Sequence, residues 1–400
     1  MHVAIIGAGQ AGAALAAKLL GLGHAGPITM IGDEAAPPYQ RPPLSKAYLM
    51  GEMEAERLWL RAPEFWGDQG VQLRLGAPVR ALDTVARTMT VGADVIGYDV
   101  LALTTGSSPR RLPDAMGGGL AGVYTVRTLA DVDAMRAEFA PGRRVVIVGG
   151  GYIGLEAAAV AAKLGLKVTV LEMAPRILQR VAAPETSDYF RALHTAHGVQ
   201  VLESTGLERL LGSGHVSAAR LSDGREIAAD FVIVGVGITP NTGLAEAAGI
   251  TIDNGIATDA LGRTSAPDVW AAGDCASFPW QGGRLRLESV GNAIDQAETV
   301  AANILGADTA YAAQPWFWSD QYGCKLQIAG LNTGYDRIVT RPGEGDATSF
   351  WYYRGARLLA LDAMNDARAY MVGKRLIEAG KSPPPDLVAN PATDLKALLR

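Results

Sequence analysis

VAIIGAGQAGAALAAKLL, residues 3–20, begins with an apolar, β-branched run, turns through a GxGxxG motif and continues as a stretch of small helix-forming residues. VVIVGGGYIGLEAAAVAAKLG, residues 145–165, repeats the same order. Each copy leads into a further strand-like run that ends in a carboxylate, Asp33 after ITMIG and Glu172 after KVTVL. A strand, a glycine turn, a helix and a second strand form the βαβ unit that binds dinucleotides. The sequence therefore predicts two such units.

The spacing of the glycines has a physical reason in each copy. The first glycine makes the tight turn, the second lets a pyrophosphate approach the backbone, and the third lets helix and strand pack closely. The diphosphate then lies at the positive end of the helix. The predicted cofactor-binding glycines are Gly7, Gly9 and Gly12 in the first copy and Gly149, Gly151 and Gly154 in the second.

The rest of the chain predicts further buried strands and a different terminal module. ADFVIVGVGITPN (229–241) and APDVWAAGDCA (266–276) are apolar runs that end in glycine turns. Near Ala313 the composition shifts to aromatic strands followed by a helical segment. We predict an α/β protein with two Rossmann-like dinucleotide-binding domains and a C-terminal α+β domain.

Composition excludes several classes of protein. A net charge of −5 argues against a nucleic-acid binder. Cys275 and Cys324 are the only cysteines, which excludes a disulfide framework and a cysteine-based zinc site and favours a reducing compartment. The first strand begins at residue 3, and the apolar stretch around Lys18 is too short to span a bilayer. We therefore expect a cytoplasmic protein without a signal peptide or membrane span.

Other catalytic motifs are absent or incomplete. His194 and His197 form an HxxH, but no acid completes an HExxH zinc site, so both are predicted to be exposed helix residues. No GxSxG nucleophile elbow occurs. Cys275 is predicted to be a small buried residue, and the role of Cys324 is left open.

Three further motifs carry a resemblance to a known family. PPYQRPPLSK (37–46), RLESVGNAIDQA (286–297) and PWFWSDQ (315–321) accompany the two glycine motifs. Together they resemble the FAD-dependent pyridine-nucleotide oxidoreductases of the glutathione-reductase fold, and within them the NADH-dependent ferredoxin reductases that serve oxygenases. The resemblance implies an FAD domain over 1–110 and 238–312, an NAD domain over 111–237 and a C-terminal domain over 313–400.

The resemblance also implies which residues bind FAD. Asp33, with Glu34 as the alternative, matches the carboxylate on the adenosine ribose, and Asp274 matches the residue that holds the ribityl chain. Lys46 is implied to reach the flavin near N5. The prolines before it restrict the backbone, so the segment could form a rigid ledge, although a solvated surface loop is the alternative. The remaining implied flavin contacts are Arg41, Val79, Arg127 and Val290.

The second nucleotide site is assigned to NADH. Glu172 ends the second strand, where a carboxylate accepts hydrogen bonds from ribose hydroxyls and repels a 2′-phosphate. Arg176 follows closely and leaves NADPH open. The resemblance places Ile153 beneath the cofactor and Glu156, with Glu288, near the nicotinamide. By itself, Glu156 would be interpreted as a solvated acid in the first helical turn.

The predicted reaction carries electrons from NADH through FAD, one at a time, to a [2Fe–2S] ferredoxin that supplies a monooxygenase or dioxygenase. Disulfide reductases of this fold need a CxxxxC pair in the first domain, and persulfide reductases need one redox cysteine there, yet neither occurs. The implied catalytic residues are Lys46, Glu156, Glu288 and Trp318. Trp318 matches an aromatic residue at the flavin edge, and a core tryptophan is its alternative.

Two alternatives stay open at this point. One is a reductase of rubredoxin or of a small-molecule acceptor, and the other is a redox-gated interaction protein of the apoptosis-inducing-factor type. Ferredoxins are generally acidic, so a chain of net charge −5 needs a local basic patch for transient electrostatic docking. Arg284, Arg286 and Lys325 are the candidates for that patch.

Overall fold

The computed structural model describes residues 1–400. None of its helices is long and apolar enough to cross a membrane. Its α-helices are α1 (Gln10–Gly21), α2 (Pro63–Asp68), α3 (Leu129–Met135), α4 (Tyr152–Lys163), α5 (Pro184–Ala196), α6 (Gly243–Ala247), α7 (Val290–Ile304), α8 (Ala367–Glu378) and α9 (Pro385–Ala389).

The strands contain between two and eight residues. They are β1 (Val3–Ile6), β2 (Ile28–Ile31), β3 (Val71–Arg74), β4 (Val79–Asp83), β5 (Thr88–Val91), β6 (Asp94–Gly97), β7 (Val100–Leu103), β8 (Ser107–Pro109), β9 (Val123–Tyr124), β10 (Arg144–Val148), β11 (Lys167–Leu171), β12 (Gln200–Leu202), β13 (Leu207–Ser213), β14 (His215–Leu221), β15 (Glu226–Ala228), β16 (Phe231–Val234), β17 (Ile238–Pro240), β18 (Ile256–Ala257), β19 (Val269–Ala271), β20 (Ala276–Trp280), β21 (Gly283–Leu285), β22 (Trp316–Gln321), β23 (Cys324–Gly330), β24 (Arg337–Pro342), β25 (Thr348–Arg354) and β26 (Arg357–Met364).

The chain divides into two compact units. Unit 1 contains residues 1–40, 54–108 and 238–315, and unit 2 contains residues 41–53, 109–237 and 316–400. The second glycine motif and the C-terminal module both lie in unit 2. The three domain ranges given from the sequence stay a prediction.

Unit 1 is built on a parallel sheet with strand order β19-β7-β1-β2-β3. Strand β1 lies in the middle, buried along its whole length between β2 and β7. Helix α1 follows it and presents Ala13 and Ala16 to a core that also contains Ala297 and Ala301 of α7. Small side chains let these two helices approach closely. The glycine turn between β1 and α1 lies at the carboxyl end of β1.

Unit 2 repeats this architecture and adds a three-stranded sheet, β13-β14-β15, and a C-terminal sheet. Its parallel sheet has the order β12-β11-β10-β16-β9, with β10 central and α4 directly after it. The C-terminal sheet is antiparallel, with the order β22-β23-β26-β25-β24. Trp351 and Leu361 of that sheet and Leu376 of α8 are fully buried in one core. The predicted fold class, two Rossmann-like domains with a C-terminal α+β domain, is confirmed.

Strand β22 is the edge strand of the C-terminal sheet, and its two faces differ. Side chains alternate along a strand, so Trp316 and Trp318 share one face and stack with ring centroids 5.4 Å apart. Phe317 and Ser319 share the other face, where Phe317 lies 4.7 Å from the ring of Tyr152 in α4. This second face therefore packs on the helix that follows the second glycine motif.

A buried carboxylate lies between the C-terminal sheet and α5. Asp362 is 1% exposed and accepts hydrogen bonds from Thr186 (2.7 Å) and from the hydroxyl of Tyr352. Burial raises the pKa of Asp362 to about 6, although both hydrogen bonds act in the opposite direction. The folded protein therefore holds a proton on Asp362 at a pH where the unfolded chain has lost it.

This difference predicts how stability depends on pH. Since the folded pKa is raised above its ordinary value of 3.8, the contribution of Asp362 is fully present below pH 4 and is lost as the pH rises through 6. Asp362→Asn mimics the protonated form, so its free energy of unfolding relative to wild type should rise by about 3 kcal/mol across that window. Urea titrations at pH 4, 5, 6 and 7 measure this.

The exposed carboxylate of Asp386 offers a matched control. Its side chain is 94% exposed and pairs with Arg337 at the surface, so Asp386→Asn should change the free energy of unfolding by less than about 1 kcal/mol. A constant difference between Asp362→Asn and wild type over the whole range would show that Asp362 titrates normally in the folded protein.

Candidate functional site

The turn between β1 and α1 is open where the sequence predicted a phosphate. Gly7 has φ +118°, and a Cβ on Gly12 would lie 1.9 Å from the carbonyl oxygen of Gly7. A Cβ on Gly9 would meet no atom within 4 Å. Helix α1 has no side-chain cap and no acidic residue in its first turn. Unsatisfied backbone N–H groups therefore face an open cradle that suits an anion.

Two acidic residues follow β2 in unit 1. Asp33 is exposed, whereas Glu34 is partly buried and accepts a hydrogen bond of 2.5 Å from the Tyr39 hydroxyl. Either carboxylate can accept further hydrogen bonds, since each oxygen has two lone pairs. The sequence-based choice between Asp33 and Glu34 for the ribose stays open.

The loop after β19 carries the other predicted polar contact of unit 1. The carboxylate of Asp274 accepts a hydrogen bond of 2.9 Å from Ser107. The neighbouring Cys275 is fully buried, as predicted, and burial raises the pKa of its thiol. A neutral buried thiol is unreactive, so Cys275 is a packing residue.

The second glycine turn, in unit 2, has the same geometry as the first. Gly149 has φ +110°, and a Cβ on Gly154 would lie 2.1 Å from the Gly149 carbonyl oxygen. Gly151 faces open space, and α4 begins without a side-chain cap or an acid in its first turn. Ile153 lies on that turn with 43% of its surface exposed. Both turns therefore fit a dinucleotide.

Glu172 lies at the end of β11 beside this turn. Its carboxylate accepts backbone hydrogen bonds from Gly150 (2.8 Å) and Ala174 (2.7 Å), which fix its orientation at the strand end. Arg176 donates to Ser187 (2.6 Å) and to the carbonyl of Gln179 (3.4 Å). The cation that follows the strand is therefore held by polar partners of its own.

Glu156 is buried in α4 and is not solvated as an isolated first-turn acid would be. Its side chain is 2% exposed, and the ammonium of Lys46 lies 2.6 Å from its Oε2. Ser45 donates to the same oxygen (2.6 Å), and Ser319 donates to Oε1 (2.7 Å). A buried carboxylate needs such partners, because an unpaired charge in the interior is costly.

The proline-rich segment holds Lys46 against α4. Residues Pro42–Ser45 form one turn of 3₁₀ helix, with Leu44 and Ser45 buried. On either side, Arg41 donates to the carbonyl of Arg127 (2.6 Å), and the Tyr48 hydroxyl donates to Asp133 (2.7 Å). Hydrogen bonds on both sides therefore hold this segment in place within unit 2, and it is not a solvated loop.

His194 is fully buried, so the prediction of an exposed residue is wrong. Its Nε2 lies 2.7 Å from Oε1 of Gln321, and burial lowers the pKa of its imidazole to about 4. His194 shares the inner face of α5 with Ser187 and Phe190, at helical spacing. That periodicity is the signal that could have placed it inside. His197 is exposed, as predicted.

The arginines proposed for docking are engaged within unit 1. Arg286 is 10% exposed, pairs with Glu288 (2.7 Å) and donates to the carbonyl of Asp274 (3.1 Å). Arg284 donates to the carbonyl of Thr258 (2.9 Å). Arg286 is therefore not an exposed cation, contrary to the expectation from the sequence.

The predicted site residues are distributed over both units. Direct contacts join Lys46 to Glu156 and Arg41 to Arg127. Unit 1 contains the first glycine motif, Asp33, Glu34, Val79, Asp274, Glu288 and Val290, and unit 2 contains the second motif, Arg41, Lys46, Arg127, Glu156, Glu172 and Trp318. The sequence did not reveal that Ser45 and Ser319, together with Lys46, are polar partners of Glu156.

Comparison with known proteins defines the class of this molecule. The family model described as pyridine nucleotide-disulphide oxidoreductase matches residues 1–297, and the model described as reductase C-terminal matches residues 316–399. The chain belongs to the pyridine nucleotide-disulphide oxidoreductase family.

Particular relatives match it over nearly their whole length. The 5,5′-dehydrodivanillate O-demethylase ferredoxin reductase subunit of Sphingobium sp. is 44% identical over 98% of this chain and 97% of that protein. Putidaredoxin reductase of Pseudomonas putida is 40% identical over 100% of this chain and 96% of that protein. The crystal structure of the covalent putidaredoxin reductase–putidaredoxin complex matches with a TM-score of 0.96 at 39% identity, over 100% of this chain and 98% of that one.

Proposed function

We propose that the protein is an NADH-dependent ferredoxin reductase that uses FAD to supply electrons to an oxygenase. The observation that carries this proposal is the match, at 40–44% identity and nearly full length, to reductases of this kind. Two open glycine turns account for two dinucleotides, and the cysteines are buried thiols outside any CxxxxC motif. Electrons therefore pass from the flavin to an external acceptor.

The turn of unit 1 would hold the FAD diphosphate, with Asp33 or Glu34 on the ribose and Asp274 on the ribityl chain. Bound flavin accepts a hydride and releases electrons one at a time. Lys46, Glu156, Glu288 and Trp318 are the proposed catalytic residues. Within unit 2 the ion pair with Glu156 fixes the Lys46 ammonium at one position, since Glu156 and the preceding residues Leu44 and Ser45 are buried. The implied flavin contacts of Arg41, Val79, Arg127 and Val290 stay proposals.

The turn of unit 2 would hold NADH, with Ile153 against the cofactor and Glu172 on the adenosine ribose. Each oxygen of Glu172 accepts one backbone hydrogen bond and keeps a lone pair for a ribose hydroxyl. The same negative charge repels a 2′-phosphate. Because Arg176 is held by Ser187 and Gln179, it offers that phosphate little compensation.

Replacing Glu172 tests this assignment. Glu172→Gln keeps a carbonyl acceptor but removes the charge, so kcat/KM for NADH should fall about tenfold and the discrimination against NADPH should lessen. Initial rates of ferricyanide reduction with each nucleotide measure both effects. Glu208→Gln, at an exposed position of β13, is the control and should leave both values unchanged. A wild-type protein that prefers NADPH would overturn the assignment.

A turnover assay tests the proposed function as a whole. Putidaredoxin serves as the [2Fe–2S] probe, cytochrome c reports its reduction, and rubredoxin, a quinone and ferricyanide are tried as other acceptors. We expect NADH-dependent reduction of the ferredoxin at a rate far above that of rubredoxin or quinone. Faster reduction of either of those would favour the small-acceptor alternative. A long-lived charge-transfer complex with slow turnover would favour the interaction-protein alternative.

Docking of the ferredoxin is proposed to be transient and electrostatic. Arg286 is largely covered and paired with Glu288, whereas Arg284 on β21 and Lys325 on β23 are exposed and are the remaining candidates of the three. Surface charges act mainly on association rate, and salt screens them. A cytoplasmic location is also proposed, supported by two cysteines that are unpaired.

A further inference from the structure

A continuous chain of hydrogen bonds crosses the interior of unit 2 from α5 to α4. The Tyr322 hydroxyl lies 3.1 Å from Nδ1 of His194, whose Nε2 lies 2.7 Å from Oε1 of Gln321. Nε2 of Gln321 lies 3.1 Å from Oγ of Ser319, which donates to Oε1 of Glu156 at 2.7 Å. All members except Tyr322 are at most 2% exposed.

The alternation of side chains along β22 makes this chain possible. Ser319 and Gln321 are two residues apart, so they lie on the same face of the strand. That face meets α4, which carries Glu156, and α5, which carries His194. Through these two side chains, strand β22 connects α4, the helix after the second glycine motif, to α5.

The ion pair at one end fixes the direction of every hydrogen bond. Glu156 faces the ammonium of Lys46 and is a carboxylate, so it can only accept, and Ser319 must donate to it. The Ser319 oxygen then accepts from the amide nitrogen of Gln321. This turns the amide oxygen toward His194, whose Nε2 must therefore carry the proton.

The remaining nitrogen of the imidazole completes the chain. With its proton on Nε2, His194 accepts at Nδ1 from the Tyr322 hydroxyl, so every hydrogen bond donates toward Glu156. The titratable group that faces His194 directly is Tyr322. The exposed His197 lies on the other side of Tyr322, with the centroids of these two rings 3.7 Å apart. Burial lowers the pKa of His194, which favours the neutral form required here.

The amide in the middle decides what such a chain can do. An amide passes a proton along only through an unfavourable imidic-acid tautomer, so Gln321 is a poor relay. Gln321 instead fixes the direction of the hydrogen bonds on both of its sides, because its amide oxygen only accepts and its amide nitrogen only donates. The chain therefore links the orientation of each member to the position of Oε1 of Glu156.

We propose that Tyr322, His194, Gln321 and Ser319 are positioning residues that hold Oε1 of Glu156, so that Oε2 stays on Lys46 during flavin reduction. The role of Glu156 in that step rests on the proposed function. The direction of the chain does not, and the two can be tested separately.

Imidazole NMR tests the direction on the oxidised holoprotein. With ¹⁵N-labelled histidine, His194 should be a neutral Nε2–H tautomer down to about pH 5, and His194→Gln assigns its signals. Gln321→Glu is isosteric and introduces an acceptor-only group, so His194 should then bind a proton above pH 6.5. A neutral Nδ1–H tautomer in the wild type, or no change of titration in Gln321→Glu, would overturn the proposal.

Stopped-flow reduction by NADH tests the positioning role. Ser319→Ala removes the donor to Oε1 and should slow flavin reduction about tenfold without changing the NADH concentration for half-saturation. Ser319→Thr keeps the hydroxyl and should restore the rate to within about twofold of wild type. Ser217→Ala, on the exposed face of β14, is the matched control.

The outcomes separate this proposal from the proposed function. Equal rates of flavin reduction for Ser319→Ala and wild type, at every pH from 6 to 9, would overturn the positioning role. Equal loss in Ser319→Ala and Ser319→Thr would also overturn it, since the hydroxyl would then be irrelevant. A wild type that is reduced by NADH but never reduces ferredoxin would instead overturn the proposed function.

Discussion

Gly12→Ala should yield a protein that purifies without bound FAD. The added Cβ would lie 1.9 Å from the carbonyl oxygen of Gly7 and 3.1 Å from its carbonyl carbon. Both are backbone atoms of the turn itself, so α1 must move away from β1. Its N-terminal N–H groups would then no longer face the position of the diphosphate. An overpacked site costs about 3 kcal/mol, which corresponds to about a hundredfold loss of FAD affinity. The ratio of absorbance at 450 nm to 280 nm measures the occupancy.

Two further alanine variants make this result specific. Gly21→Ala lies at the end of the same helix, where a Cβ meets no atom within 4 Å, and should retain FAD. Gly154→Ala places a Cβ 2.1 Å from the Gly149 carbonyl and should retain FAD but lose NADH binding. One FAD per chain in purified Gly12→Ala would contradict the assignment of the first glycine turn.

The two glycine motifs predicted both parallel sheets because the information is local. A strand, a turn and a helix within about 30 residues form one packing unit, and its glycines are required by short-range contacts. Gly7 and Gly149 take the positive φ angles that the motif demands. The C-terminal domain was predicted only as α+β, since the pairing of its strands depends on partners far along the chain.

The surroundings of Glu156 could not be predicted from local sequence. Its partners Lys46 and Ser319 are 110 and 163 residues away, and only packing brings them together. In a helix rich in alanine, the local sequence around a glutamate is the same whether its carboxylate is solvated or part of a buried ion pair. The HxxH pattern carries no information on the burial of His194, whereas its spacing from Phe190 places both residues on one face of α5.

Lys46→Met should destabilise the protein strongly, because it removes the cation that compensates the buried carboxylate of Glu156. The Lys46 side chain is 18% exposed and that of Glu156 is 2% exposed, so solvent cannot replace the ammonium. Removing one partner of a buried pair costs about 3–5 kcal/mol. Lys163→Met, which breaks the ion pair between the end of α4 and Glu52, whose two side chains are each 55% exposed, should cost less than about 1 kcal/mol. Urea titrations of the holoprotein compare the two.

The double variant Lys46→Met/Glu156→Gln separates stability from chemistry. Neutralising both partners removes the unpaired buried charge, and an amide can still accept from Ser45 and Ser319, so most of the lost stability should return. Flavin reduction by NADH, followed by stopped flow, should remain as slow as in Lys46→Met, because the fixed cation is still missing. Recovery of the rate together with the stability would mean that the ion pair only holds the fold. Slow reduction in a stable double variant would assign the Lys46–Glu156 ion pair to the reaction itself.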